Sequence, residues 1–322
     1  MPTRNICLLG GTGFVGHALC ARLVERGHRV WVLTRHRERH RDLLVLPTVQ
    51  VVEGDVHDSA FLRRQFENDV QGRTNAAGGR MPGAAMDAVI NLVGILNEQG
   101  RSGKGFARVH ADLPEKIVLA CRETGVKRLL HMSALHAAHD APSHYLRTKA
   151  FGEDAAHHAA TPDFHVTSFR PSVIFGPGDS FLNRFAQLLQ LSPLVFPLAC
   201  PHARFQPVYA GDVARAFAEA LDNHQTFGER YDLCGPKVYT LHALVTYVAQ
   251  QLGLRTRIIG LNDRLSWLQA AMLEFVPGKP FSLDNYRSLK IDSVCDKGFP
   301  EVFGVEPASL EEIAPTYLAR NN

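Results

Sequence analysis

Two hydrophobic periods alternate through the first half of the chain. The runs "NICLLG", "RVWVLTR", "VQVVEGD", "DAVINLVG", "KRLLHMS" and "FHVTSFRP" are short and almost continuously apolar, as strands buried on both faces are. Between most of them apolar residues recur at helical spacing. "FVGHALCARLVERG" is one such stretch, stopping at Gly27, and residues 57 to 67, 106 to 124 and 145 to 159 are others. Strand and helix in this alternation predict an α/β fold, a doubly wound parallel sheet of the Rossmann type. Residues 68 to 86, rich in Gly and Ala, break the rhythm and are expected to form a surface loop before the fourth strand.

After Pro171 the pattern loosens, with prolines at 177, 193, 197, 201 and 207. Helices are expected over "GDVARAFAEALDN", "TLHALVTYVAQQLGL" and the strongly apolar "RLSWLQAAMLEFVPG". The expected organisation is a nucleotide-binding domain over 1–175 and a smaller C-terminal α/β substrate lobe over 176–322, with about 205–235 returning to the first domain's core.

Gly10, Gly13 and Gly16 form G-x-x-G-x-x-G directly after the first strand and at the head of the first helix. Such a turn lets the backbone approach a pyrophosphate, and the helix start offers unpaired N–H groups and a positive dipole end. Thr12, Phe14 and Val15 share this turn and are expected cofactor contacts. The second strand ends in Thr34-Arg35, where an Asp or Glu for a ribose 2′-hydroxyl is absent; an arginine suits a 2′-phosphate instead, so NADP(H) is expected ahead of NAD(H). Asp55, followed by Val56, is placed to accept from an adenine amino group or to cap the next helix. Leu92, Val93 and Gly94 leave the fourth strand at the edge where such ligands bind, and Met132 ends the fifth.

"GGTGFVG", "GD" at 54 and 55, "NLVG", "YLRTK" and "RPSVIFGPGD" together resemble the extended short-chain dehydrogenase/reductase superfamily, which includes nucleotide-sugar epimerases and dehydratases. "HMSALHA", "YLRTKAFGE" and "GDVARAFAEAL" look closest to an atypical branch containing an accessory subunit of respiratory complex I and its free-standing bacterial relatives. The resemblance implies bound NADPH and a link to respiratory-chain or quinone biology. It places the general acid on Tyr145, the ribose-holding lysine on Lys149, and the nicotinamide beside the backbone of Arg170, Pro171 and Val173. Four-residue spacing does put Tyr145 and Lys149 on one helix face. A neighbouring ammonium and the positive nicotinamide ring are expected to favour the phenolate and lower the tyrosine pKa.

Two positions depart from the family pattern. Ser133 stands at the exit of the fifth strand, but the usual substrate-polarising Ser or Thr falls on Ala134 or Leu135, which cannot donate a hydrogen bond. His136 is a possible substitute, and His110 stands where relatives carry Asn, either extending a proton path or packing. Three readings follow. The first is an oxidoreductase acting on a small apolar carbonyl or quinone-like substrate. The second is a non-catalytic NADPH-binding accessory protein, and the third a nucleotide-sugar epimerase or dehydratase. "SPLVFPLAC" and "WLQAAMLEF" are expected to line an apolar pocket, to face a membrane, or to pack as core.

Composition adjusts this picture little. The chain has 322 residues, 45% apolar and 21% charged, with a formal net charge of +3, too small to argue for a nucleic-acid partner. Six cysteines in no C-x-x-C or zinc spacing are expected to be reduced thiols in a cytoplasmic protein with no metal site. Peripheral attachment to the inner membrane face or to a respiratory complex stays open, and oligomeric state is unspecified by sequence.

Overall fold

The structure, a computed structural model, describes residues 2–67, 85–98, 100–277 and 279–318. The loop expected over 68 to 86 lies almost wholly outside the described residues. The first half runs β1 (Asn5–Leu9), α1 (Phe14–Glu25), β2 (Arg29–Thr34), β3 (Val49–Glu53), α2 (Ser59–Glu67), β4 (Ala88–Asn91), α3 (Lys104–Ala107), α4 (Leu113–Thr124), β5 (Arg128–Met132), α5 (His144–His158) and β6 (His165–Pro171). Then follow β7 (Ile174–Phe175), α6 (Leu182–Leu191), β8 (Val195–Leu198), β9 (Arg204–Phe205), β10 (Val208–Tyr209), α7 (Ala210–Ala220) and β11 (Arg230–Leu233). The chain continues with β12 (Tyr239–Thr240), α8 (Leu241–Gln251), β13 (Arg257–Gly260), α9 (Asp263–Leu273), α10 (Leu283–Ser288) and two short turns of helix, α11 (Leu310–Ile313) and α12 (Pro315–Leu318).

Seven strands form one sheet in the order β11-β6-β5-β4-β1-β2-β3, every pairing parallel. The chain turns back between β1 and β4, and that reversal opens a crevice beyond the carboxyl ends of the strands. Alternate residues of β1 explain why the run reads as continuously apolar. Ile6 and Leu8 enter the core on the α1 and α7 face, while Cys7 and Leu9 enter the core under α2 and α4. Each such side chain contributes about 1.5–3 kcal/mol by leaving water.

α3 and α4 are one continuous segment joined by a π-helical turn over Arg108–Asp112, a feature no periodicity in the sequence announced. Gly152 of α5 lies against it so closely that a Cβ there would sit 1.8 Å from the His110 carbonyl oxygen. Past β6 the small strands pair in three two-stranded sheets, and a third core gathers around Phe175, Leu244 and Val248. One cysteine expectation fails. Cys234, just after β11, is disulfide-bonded to Cys295, 61 residues on, whereas Cys7, Cys20 and Cys121 are buried free thiols. No helix of the described residues is long and apolar enough to cross a membrane.

Candidate active site

The nucleotide end of the crevice is made of backbone. Gly10 has φ +78°, and a Cβ on it would lie 2.9 Å from the Leu92 carbonyl carbon; on Gly16 it would lie 2.3 Å from the Gly10 oxygen. Gly13 stands just before α1, with no side chain capping the helix and no acid in its first turn. The first-turn N–H groups therefore face the crevice unclaimed, and the glycine cradle fits a pyrophosphate. Val15 packs on the core, and the Phe14 ring would touch a Cβ on Gly176, so both present backbone to the crevice. Thr12 is half-buried on the same turn.

At the end of β2, Thr34 is buried and Arg35 is exposed. Asp55 accepts from the His57 N–H at 2.9 Å in a tight turn; the cap expected of it is made instead by Asp58, which accepts from Ala60 N at 2.9 Å at the start of α2. Val56 is half-buried beside the α2 core. The fold also brings together His17, His40 and Asp42, with ligand-type atoms within 4.8 Å of one another, a grouping the linear spacing did not announce.

The opposite end is a network of buried side chains. The Lys149 ammonium donates to the Met132 carbonyl at 3.0 Å, and Gly94 lies beside it, where a Cβ would be 3.3 Å from Nζ. Leu92, Val93, Gly94, Met132 and Lys149 thus form one wall. Burial pushes Lys149 down to about 8, opposed by the Glu153 charge. Burial pushes Tyr145 of the free protein up to about 12, because desolvation disfavours the phenolate; the lowering expected with a positive nicotinamide ring belongs to the cofactor-bound site. Around the tyrosine lie Ala134, Ala138, Ala141, Leu146 and Ile291, an aliphatic cluster occupying the position where a polarising hydroxyl was sought.

His110 is resolved in favour of packing and positioning. Its Nε2 accepts from the Ile95 N–H at 3.0 Å, so the ring proton is on Nδ1, 3.2 Å from Thr148 Oγ1. Burial first, then the Lys149 and His131 charges, hold it well below the usual histidine range. Its ring stands edge-on to Tyr145 with centroids 5.4 Å apart.

Ser133 and Arg170 do not reach this wall by their side chains. Arg170 is tied to Glu153 through Nε, at 3.0 and 2.9 Å to the two carboxylate oxygens, and through a further close contact from Nη2. Arg230 adds a bond from Nε at 2.6 Å. Ser133 is buried on the Glu153 side of β5. Burial alone would raise Glu153, but the hydrogen bonds from Arg170 and the charges of Arg170 and Arg230 win, leaving it lowered. Arg170 therefore offers the crevice its backbone, with Pro171, whose carbonyl accepts from Leu135 N at 3.1 Å. Val173 packs against the third core. His136, in the left-handed region at φ 58°, bonds the Val294 carbonyl at 3.1 Å.

Sequence reasoning missed Asp284. Its carboxylate caps α5, accepting from His144 N at 2.7 Å and Tyr145 N at 3.1 Å, and so fixes the tyrosine from 139 residues away. Beside it lies a cavity of about 220 Å³ lined by Arg101, Phe106, His144, Glu274, Asp284 and Arg287. Half of its lining is charged, and of the segments "SPLVFPLAC" and "WLQAAMLEF" only Glu274 lines it.

A glycine-cradled crevice at the sheet reversal, with a Tyr–Lys pair on the far wall, defines a nucleotide-binding α/β protein of the extended short-chain dehydrogenase/reductase type. The chain belongs to the NAD dependent epimerase/dehydratase family, whose model matches residues 6–234, and that family binds NAD(P). It is 29% identical to "NADH dehydrogenase [ubiquinone] 1 alpha subcomplex subunit 9, mitochondrial" of Arabidopsis thaliana, across 89% of this chain and 68% of that protein. It is 31% identical to a ceramide reductase of Caulobacter vibrioides, across 80% and 74%. Its fold superposes on a UDP-glucose 4-epimerase of Thermotoga maritima with a TM-score of 0.70, at 18% identity over 98% and 97% of the two chains.

Proposed function

We propose that the protein is a reductase that prefers NADP(H) and acts on a small apolar carbonyl or quinone-like compound. The observation that carries this reading is Tyr145 itself. It packs among Ala134, Ala138, Ala141 and Ile291 one helical turn before Lys149, so its hydroxyl would meet a substrate oxygen in apolar surroundings. The kinship with a ceramide reductase, whose substrate is a lipid, supports the same direction.

In this reading the first-turn N–H groups at Gly13 to Val15 hold the pyrophosphate, Arg35 pairs with the 2′-phosphate, and Asp55 accepts from the adenine. When bound, the reduced nicotinamide supplies a hydride. Lys149, anchored on the Met132 carbonyl, holds the adjoining ribose hydroxyls. Tyr145 delivers its phenolic proton to the substrate oxygen as negative charge grows there. With Ala134 and Leu135 in place of a hydroxyl, Tyr145 alone stabilises that charge. Ser133 has no part in the step.

A second reading, a non-catalytic accessory protein with bound NADPH and a respiratory-complex partner, is favoured by the missing hydroxyl and by the kinship with a complex I subunit. The test is to mix purified protein and NADPH with medium-chain 3-ketones, short-chain quinones and UDP-sugars and follow nicotinamide absorbance. Oxidation with the apolar compounds and none with the sugars is expected. No oxidation with any compound, together with nucleotide that never exchanges, would transfer the weight to the accessory role.

A further inference from the structure

The large exposed apolar residues are concentrated on the C-terminal region, around α9. Leu265, Leu268 and Met272 recur at i, i+3 and i+7 and form an outward stripe, while Ser266 and Ala270 are buried on the inner side. Phe275 continues the stripe at 74% exposure, and Trp267 flanks it at 51%. Beside α9 lies the outer face of the β8–β13 pair, joined to it by Gln269 bonding the Pro197 carbonyl at 3.0 Å. That face presents Ile259, and Leu194, at 81% exposure, lies at the other end of the pair beside Arg257. Side chains of this size, this open and this contiguous mark a docking surface.

The charge around the stripe identifies what docks. Arg255, Arg257 and Arg264 are exposed and have no carboxylate partner among the described residues. The Arg101 guanidinium lies over the Phe275 ring, 4.0 Å from its centroid. The nearby acids are already matched by cations, Glu274 while buried and Asp263 while exposed. Glu274 is buried and faces Arg101 and Lys279, and Asp263 is engaged by Lys290 and Tyr286. The net face is apolar with a cationic rim. Two copies docking through it would bring their arginines together at a cost. At 11 residues, about 16 Å, α9 cannot span a bilayer but can lie in its interface, with Trp267 at headgroup depth.

We infer that this face of α9 and the β8–β13 pair binds the surface of an anionic lipid bilayer. Leu268, Met272 and Phe275 enter the acyl boundary and Arg257 and Arg264 pair with lipid phosphates. Glu274, next to Phe275, lines the charged cavity beside the start of α5, so the docked surface borders the site of Tyr145. The inference stands independently of the reductase reading.

The experiment is vesicle flotation of the full chain, with Trp267 emission as a second readout. The chain's other tryptophan, Trp31, is buried, so an environmental shift on docking reports Trp267. Flotation and a blue shift with phosphatidylglycerol-containing vesicles, absent with pure phosphatidylcholine and weakened by salt, are expected. Met272→Glu with Phe275→Glu should abolish both, and Arg257→Glu should weaken binding about fivefold or more. Because these side chains are exposed, the far-ultraviolet spectrum and melting temperature should not change. Failure of the wild type to float with anionic vesicles would overturn the inference. So would a wild-type dimer in light scattering that the double substitution dissolves while vesicle binding is untouched.

Discussion

The two ends of the crevice are built on opposite principles. At the nucleotide end, recognition rests on backbone. Gly10, Gly13 and Gly16 clear space, α1 supplies N–H groups, and Arg35 stands exposed in solvent. At the tyrosine end, Lys149, His110, His131, Glu153 and Ser133 are all buried; Lys149, His110 and Glu153 are hydrogen-bonded, while Ser133 Oγ and His131 Nε2 have no partner. The first end can change its ligand preference through one exposed side chain with little effect on folding. The second couples chemistry to stability, since each buried group left unpaired costs free energy.

That contrast can be broken most strongly at Glu153. Glu153→Gln leaves Arg170 and Arg230, each about a third exposed, without their shared carboxylate and should lower unfolding free energy by about 2–3 kcal/mol, measured by urea denaturation. An unchanged midpoint would mean the network is not coupled to the fold.

A smaller effect per residue should come from pH. His131 is pushed down to about 3 and His157 to about 4, burial being the first cause in each, and His110 is also well below the usual value. All three are lowered on folding, so the unfolded chain binds the extra protons. Their stability contribution is complete above about pH 6.5 and is lost as pH falls toward 4. The slope rises from about 0.7 kcal/mol per pH unit for each histidine at pH 6.5 towards about 1.4 at pH 5, read from denaturation midpoints between pH 7 and 5.

The smallest change belongs to the nucleotide end. Arg35→Asp should weaken NADPH binding about tenfold, leave NADH binding nearly unchanged and leave the melting temperature alone, all measurable by titration calorimetry and thermal melts. A destabilised variant, or equal loss for both nucleotides, would remove the distinction between the two ends.

The same division governs what could be read in the sequence. The glycine turn, the six strands of the first half and the seating of Tyr145 and Lys149 on one helix are local, because chain neighbours set their geometry. Glu153 could not be read, because its partners stand 17 and 77 residues away. Asp284 and the Cys234–Cys295 bond were hidden for the same reason. The raised Tyr145 pKa of the free protein was hidden for a physical reason rather than by distance. Spacing shows that an ammonium is near, but the aliphatic enclosure by Ala134, Ala141 and Ile291 raises the phenol instead. Arg170 stands at the expected strand end, yet its side chain is spent on Glu153.

The central claim is that Tyr145 donates the proton in a nicotinamide-dependent reduction. Single-turnover oxidation of bound NADPH by a medium-chain 3-ketone, wild type against Tyr145→Phe, tests it most directly. The account predicts a rate lower by about 10²–10⁴ in the variant with NADPH affinity unchanged. A variant that oxidises NADPH as fast as the wild type would contradict it.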